Sequence, residues 1–91
     1  AIMPEYNKLI TELRDQCNNR SELSGEKSDW RSDYNAEPHH IMGRIGKDLI
    51  NPFNIIFLTS TEHAMQDNNG YEEKRKLLEY IRPIREKQGY Q

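Results

Sequence analysis

The stretch Glu37-Pro38-His39-His40-Ile41-Met42-Gly43-Arg44 holds two of the three histidines of a 91-residue chain, side by side. An imidazole with a pKa of about 6.5 can take up a proton or offer a lone pair to a metal at physiological pH. Successive side chains of a strand point to opposite faces, so two adjacent histidines in one strand serve two sides of a sheet. The third, His63, stands where a helix should start after a second strand, from which it can meet one of the pair across a hairpin. Asp67 follows four residues later and shares a helical face with His63, with Gln66 its near alternative. Residue types and spacing both suit proton transfer or metal binding, provided that the fold brings residues 37–44 against the sixties.

The surrounding pattern predicts elements able to do so. From about residue 4 to 18, Tyr6, Leu9, Ile10, Leu13 and Cys17 recur at three- and four-residue intervals, the period of an amphipathic helix. Pro4 suits its first turn, and Asn18-Asn19 can supply a left-handed stop. Residues 20–35 have no period and predict an irregular loop anchored by Trp30. Apolar groups at Ile41-Met42 and at Phe53 to Leu58 predict two antiparallel strands joined by the turn-rich GRIGKDLINP. Thr59, with Glu62 three positions on, matches a capping box, so a short helix begins near Ser60 and stops at Asn68-Asn69-Gly70. A final helix over about 71–86 aligns Leu77, Leu78, Ile81 and Ile84, with Pro83 expected to kink or end it. The expected fold class is α+β: a single domain of residues 1–91, in which a two-stranded antiparallel hairpin plus helix, about 36–69, is flanked by amino- and carboxyl-terminal helices.

Composition narrows the functional classes. Only 34% of residues are hydrophobic and 31% are charged, so the core must be thin, and a bound metal or partner subunit would reinforce it. A single cysteine, Cys17, cannot form an internal disulfide, which points to an intracellular setting. No apolar run approaches the roughly 18 residues of a membrane span. No leader of the secretory type is evident, so cytoplasm is the expected location. The net charge of -2 argues against strong general attraction to nucleic acid. Residues 70–91 are mildly basic, with six Lys and Arg against four Glu, whereas residues 1–69 carry seven against eleven acids. Such a tail reads first as a solvated helix face.

Taken together, Glu37, His39-His40, Asn54 and His63, with NIIFLTSTEH at the second strand, resemble the HNH nucleases of the ββα-metal (His-Me finger) group. The pattern spans residues 37–67, about a third of the chain. The resemblance implies a metal-dependent endonuclease in which His39 and His63 bind one divalent ion, Mg, Mn, Ni or Zn, with Asp67 or Gln66 completing the set. It makes His40 the general base that activates water. Asn54 would stiffen the loop between the strands, Glu37 would support the metal site from behind, and Arg44 would contact phosphate. DNA is the implied partner, bound with weak sequence preference, and a homodimer or a DNA-locating partner protein would assist. A phage-encoded enzyme acting in the host cytoplasm fits the type.

One departure stands out. Many members hold the motif with a structural zinc on two Cys-x-x-Cys pairs. Here Ser21-Glu22-Leu23-Ser24 and Thr59-Ser60-Thr61-Glu62 stand in their place. Serine and threonine are poor zinc ligands, so no structural zinc is expected. Trp30, Phe53 and Phe57 read as core, and Ser21, Ser24 and Cys17 as structural. The rival reading is a non-catalytic DNA- or protein-binding module that keeps the same scaffold. A third is an interaction protein that uses its last helix.

Overall fold

The computed structural model describes residues 2–27, 35–66 and 68–91. Trp30 and Asp67 lie outside the described residues. Among those described are three α-helices and one two-stranded antiparallel sheet, in the order α1 (Ile2–Gln16), β1 (Glu37–His40), β2 (Ile55–Leu58), α2 (Ser60–Gln66) and α3 (Tyr71–Lys87). None of these helices is long and apolar enough to cross a membrane.

β2 organises everything else. Its four residues, Ile55 to Leu58, are all buried. A strand covered on one face alternates apolar and polar residues, whereas one covered on both is apolar throughout. Ile55 and Phe57 pack with Ile10 and Leu13 of α1, and Ile56 and Leu58 pack with Leu77 and Ile81 of α3. The chain thus builds two small cores on the two sides of one strand.

β1 pairs with β2 in the register Glu37 to Leu58, Pro38 to Phe57, His39 to Ile56 and His40 to Ile55. The strand therefore ends where the apolar pair Ile41-Met42 led us to centre it. Ile41 is buried, but it and Met42 already belong to the turn that leaves the sheet. Phe53 likewise falls in a short 3-10 turn, Pro52–Asn54, that precedes β2. Pairing along an apolar strand overrides the weak strand preference of Glu-Pro-His-His.

The outer edge of β2 is closed by residues far away in sequence. Glu22 donates its amide to the Phe57 carbonyl (2.8 Å), and its carboxylate accepts the Phe57 amide (2.9 Å). The Arg85 guanidinium donates to the Ile55 carbonyl (2.8 Å), to the Pro52 carbonyl (2.9 Å) and to both carboxylate oxygens of Glu22 (2.6 Å each). Arg85 is fully buried, so it is not part of a solvated basic face. An unpaired strand edge invites other chains, and here the Arg85 side chain, with the backbone amide and side chain of Glu22, stands in for a third strand.

Local signals set the ends of the helices. Asn18 and Asn19 adopt φ of 56° and 57° and stop α1. The Asn19 side-chain oxygen then accepts the Ala36 amide (2.9 Å), which ties that stop to the start of β1. The capping box at α2 is formed: the Thr59 amide donates to Glu62 (3.0 Å), and the Glu62 amide to the Thr59 hydroxyl (3.1 Å). α3 runs through Pro83 to Lys87 rather than ending there. The anchoring of Arg85 beyond the proline gives that last turn a tertiary reason to persist.

Candidate functional site

Alternation along β1 puts His40 on the side of α1, and puts Glu37 and His39 on the opposite side, where α2 arrives. On the first side, the Tyr6 ring of α1 stacks on His40 with centroids 5.8 Å apart and planes 22° apart. His40 is 9% exposed, and its Nε2 is buried without a hydrogen-bond partner. The ring's hydrogen bond to the Leu49 backbone therefore falls to Nδ1. Burial, and then the positive charge of Arg44, push the His40 pKa below its ordinary value, against the opposing Leu49 bond. The group is thus a neutral imidazole with one nitrogen anchored and the other holding an unused lone pair.

The loop that carries Arg44 and Leu49 is braced by Asn54, which is 2% exposed. Its side-chain oxygen accepts the Met42 amide (2.8 Å), and its side-chain nitrogen donates to the carbonyls of Gly43 and Asp48 (3.0 Å each). Its own carbonyl accepts the Ile41 amide (2.8 Å). One buried amide thereby holds both arms of the loop and, through Leu49, the orientation of His40. Arg44 is exposed, with its guanidinium carbon 5.9 Å from the centre of the Tyr6 ring.

On the second side, the rings of His39 and His63 meet edge to face, 5.1 Å between centroids. His63 Nδ1 lies 2.8 Å from Glu37 Oε1. A carboxylate only accepts, so Nδ1 carries the proton, and in the neutral ring Nε2 keeps its lone pair. The two side chains are 33% and 44% exposed, which leaves this side open to ligands. His63 is also near enough for its charge to bear on His40.

The remaining candidate ligands are not brought in. The Gln66 side-chain oxygen accepts a hydrogen bond from the Asn69 side chain, and Asp67 lies outside the described residues. Among the described residues, no group of three or more His, Cys, Asp and Glu side chains is arranged around a common point for a metal ion.

The structure adds residues that the sequence reading did not assign. Tyr6 was read only as one apolar position of the α1 stripe, and its being the one aromatic ring of that stripe was the signal available. The two segments Ser21–Ser24 and Thr59–Glu62 converge on Glu62. Burial alone would raise its carboxyl pKa, but the hydroxyls of Ser21, Ser24 and Thr59 and the Thr59 amide outweigh that and hold it below the ordinary carboxylate range. Ser21 Oγ also accepts the amides of Leu23 and Ser24 (3.1 Å each), which shapes a tight turn. A knot of hydrogen bonds thus joins the two segments beside the start of α2.

Comparison with family models, with curated proteins and with solved structures gives no match.

Proposed function

We propose that this chain is a metal-dependent endonuclease of the HNH kind, built on a ββα-metal site, that hydrolyses phosphodiester bonds in DNA. The observation that carries the reading is the division of work about β1. On one side stands a neutral, buried His40 with a partnerless Nε2; on the other stand two imidazoles in ring contact, one of them oriented by a carboxylate.

His40 would take a proton from water at Nε2, which is buried here and must be uncovered when DNA binds, while its Nδ1 stays on Leu49. The hydroxide formed attacks phosphorus in line with the departing sugar oxygen, a P–O bond forms, the P–O bond to that sugar breaks, and the released alkoxide takes a proton from solvent water. Arg44, exposed beside the Tyr6 ring that stacks on His40, would pair with non-bridging phosphate oxygens. Asn54 keeps the loop, and hence the base, aimed. The donor set opposite fits a divalent ion, because ligating histidines commonly donate their second ring N–H to a carboxylate, as His63 does to Glu37. His39 and His63 would hold it, with waters and Asp67 as further ligands, and Mg, Mn, Ni and Zn all suit imidazole with open positions. Such an ion supplies charge to stabilise the phosphoryl oxygens and the leaving group.

The net charge of -2 favours modest affinity for DNA, which a second copy or a DNA-locating partner would raise. It is also what favours the rival reading, a non-catalytic module on the same scaffold. Plasmid cleavage assayed in turn with Mg, Mn, Ni and Zn separates them. The nuclease reading expects nicked or linear product from the parent and none from His40→Ala, with metal binding retained in calorimetry. A parent that cuts nothing with any of the four leaves the binding module.

A further inference from the structure

Ile45 is 89% exposed, more than any other large hydrophobic side chain among the described residues, and Met42 on the same loop is 42% exposed. Single exposed apolar residues are common and need no special cause. This one differs in how it is mounted. The loop is held at its base by the three side-chain hydrogen bonds of the buried Asn54, and across its tip the Asp48 amide donates to the Ile45 carbonyl (3.3 Å). Gly43 and Gly46 bracket Arg44-Ile45 with φ of +107° and +62°, values that side chains other than glycine's resist. A Cβ at either glycine would meet nothing within 4 Å, so it is backbone conformation rather than crowding that calls for glycine. The result is a rigid projection with a β-branched tip, which has little side-chain freedom to lose on contact.

The charges about the tip indicate its counterpart. Arg44 and Lys47, on either side of Ile45, are both exposed, whereas Asp48, the loop's acid, is half-buried. In a chain of net charge -2, this apolar point between two cations is a local exception. It also adjoins the candidate site, since Arg44 lies near the Tyr6 ring that stacks on His40.

We propose that Ile45 is a wedge that enters double-stranded DNA between adjacent base pairs, with Arg44 and Lys47 on the flanking phosphates. The proposal rests on the nuclease reading above and names the substrate form, a duplex bent or unstacked next to the bond to be cut. Aliphatic wedges act in this way elsewhere: the cost of opening one base step is offset by the contacts that the bent duplex allows.

The test uses the full chain carrying His40→Ala, so that DNA is held without being cut, and a short duplex with 2-aminopurine placed at successive positions. Binding should brighten the label at one step. Ile45→Ser should lose that signal and bind the duplex about tenfold more weakly, and Ile45→Leu should keep both. Binding to a single-stranded oligonucleotide should be equal in all three, and their melting temperatures should agree because the side chain is exposed. An Ile45→Ser chain that binds and brightens the duplex as its parent does overturns the wedge. So does a parent that binds no duplex, or an effect of Ile45→Ser found instead on self-association or on binding to phosphatidylglycerol vesicles. Hydrolysis of bis(p-nitrophenyl) phosphate by the unsubstituted chain, a substrate without bases, decides the nuclease reading separately.

Discussion

The two strands of the hairpin treat polar groups in opposite ways. On the outer edge of β2, the Ile55 carbonyl and the Phe57 amide and carbonyl each have a partner, supplied by Arg85 or Glu22. On β1, His40 is also buried, at 9% exposure, yet its Nε2 has none. Buried polar atoms are nearly always paired, so an orphan needs an explanation. Among the described residues, the other buried side-chain atom without a partner is Arg14 Nε. The Arg14 head group still donates to the Ala36 carbonyl (3.4 Å) and lies over the Phe57 ring, which accounts for its position by packing. His40 is positioned by similar contacts, the Leu49 bond and the Tyr6 stack, but its orphan is a lone pair that can take up a proton, which the Arg14 Nε–H cannot. The contrast teaches that saturation marks what holds this hairpin together, and that an unused lone pair marks where, on the nuclease reading, it would act.

Breaking the saturated side should have the largest effect on stability. Arg85→Met leaves the Glu22 carboxylate buried without its counter-ion, held only by the Phe57 amide, and should cost about 3–5 kcal/mol in urea unfolding. Adding Glu22→Leu to that variant should recover part of the loss, since no buried charge then remains. A single substitution costing under about 1 kcal/mol would mean that the edge needs no seal.

Asn54→Ala comes next. It strips partners from the Met42 amide and from the Gly43 and Asp48 carbonyls. A loss of about 2–3 kcal/mol is expected by thermal denaturation, together with loss of DNA cleavage, because the loop that orients His40 is freed. Cleavage that survived the substitution would separate the brace from the chemistry.

His40→Phe sharpens the comparison from the other side. It keeps a ring against Tyr6 and removes the orphan nitrogen along with the Leu49 bond, so stability should change by less than about 1 kcal/mol. Plasmid cleavage should nonetheless vanish. A large loss of stability would instead make His40 a structural histidine.

The smallest effect is a matter of pH. The Glu62 carboxyl titrates lower in the folded chain than its ordinary value of 4.5, through the bonds from Ser21, Ser24 and Thr59. Its stabilising contribution is therefore present above the unfolded value and is lost as pH falls through the lower folded one. In EDTA, the stability difference between the parent and Glu62→Gln should hold near neutrality and shrink in acid. A difference that grew in acid would reverse the assigned sign.

What could be read from the letters was local. The capping box of Thr59 and Glu62, the asparagine stop after α1 and the three-and-four spacing on that helix each depend on residues within a turn or so of one another, and the structure has all three. The role of Asn54 as a brace came with the family resemblance and not from its own surroundings in the sequence. β1 was displaced by a few residues, because its limits come from pairing with β2 rather than from its own preferences. Arg85 was misjudged for a related reason: its partner Glu22 is 63 residues away, and no helical spacing announces such a pair. Tyr6 became more than a core residue only once α1 was laid across β1.

The double coverage of β2 has a consequence for how the molecule comes apart. α1 leans on Ile55 and Phe57 and α3 on Ile56 and Leu58, so neither helix can detach without exposing side chains of the strand that supports the other. Melting should then follow a single sigmoid at every wavelength, and the slowest amide exchange should gather in those four residues rather than in either helix.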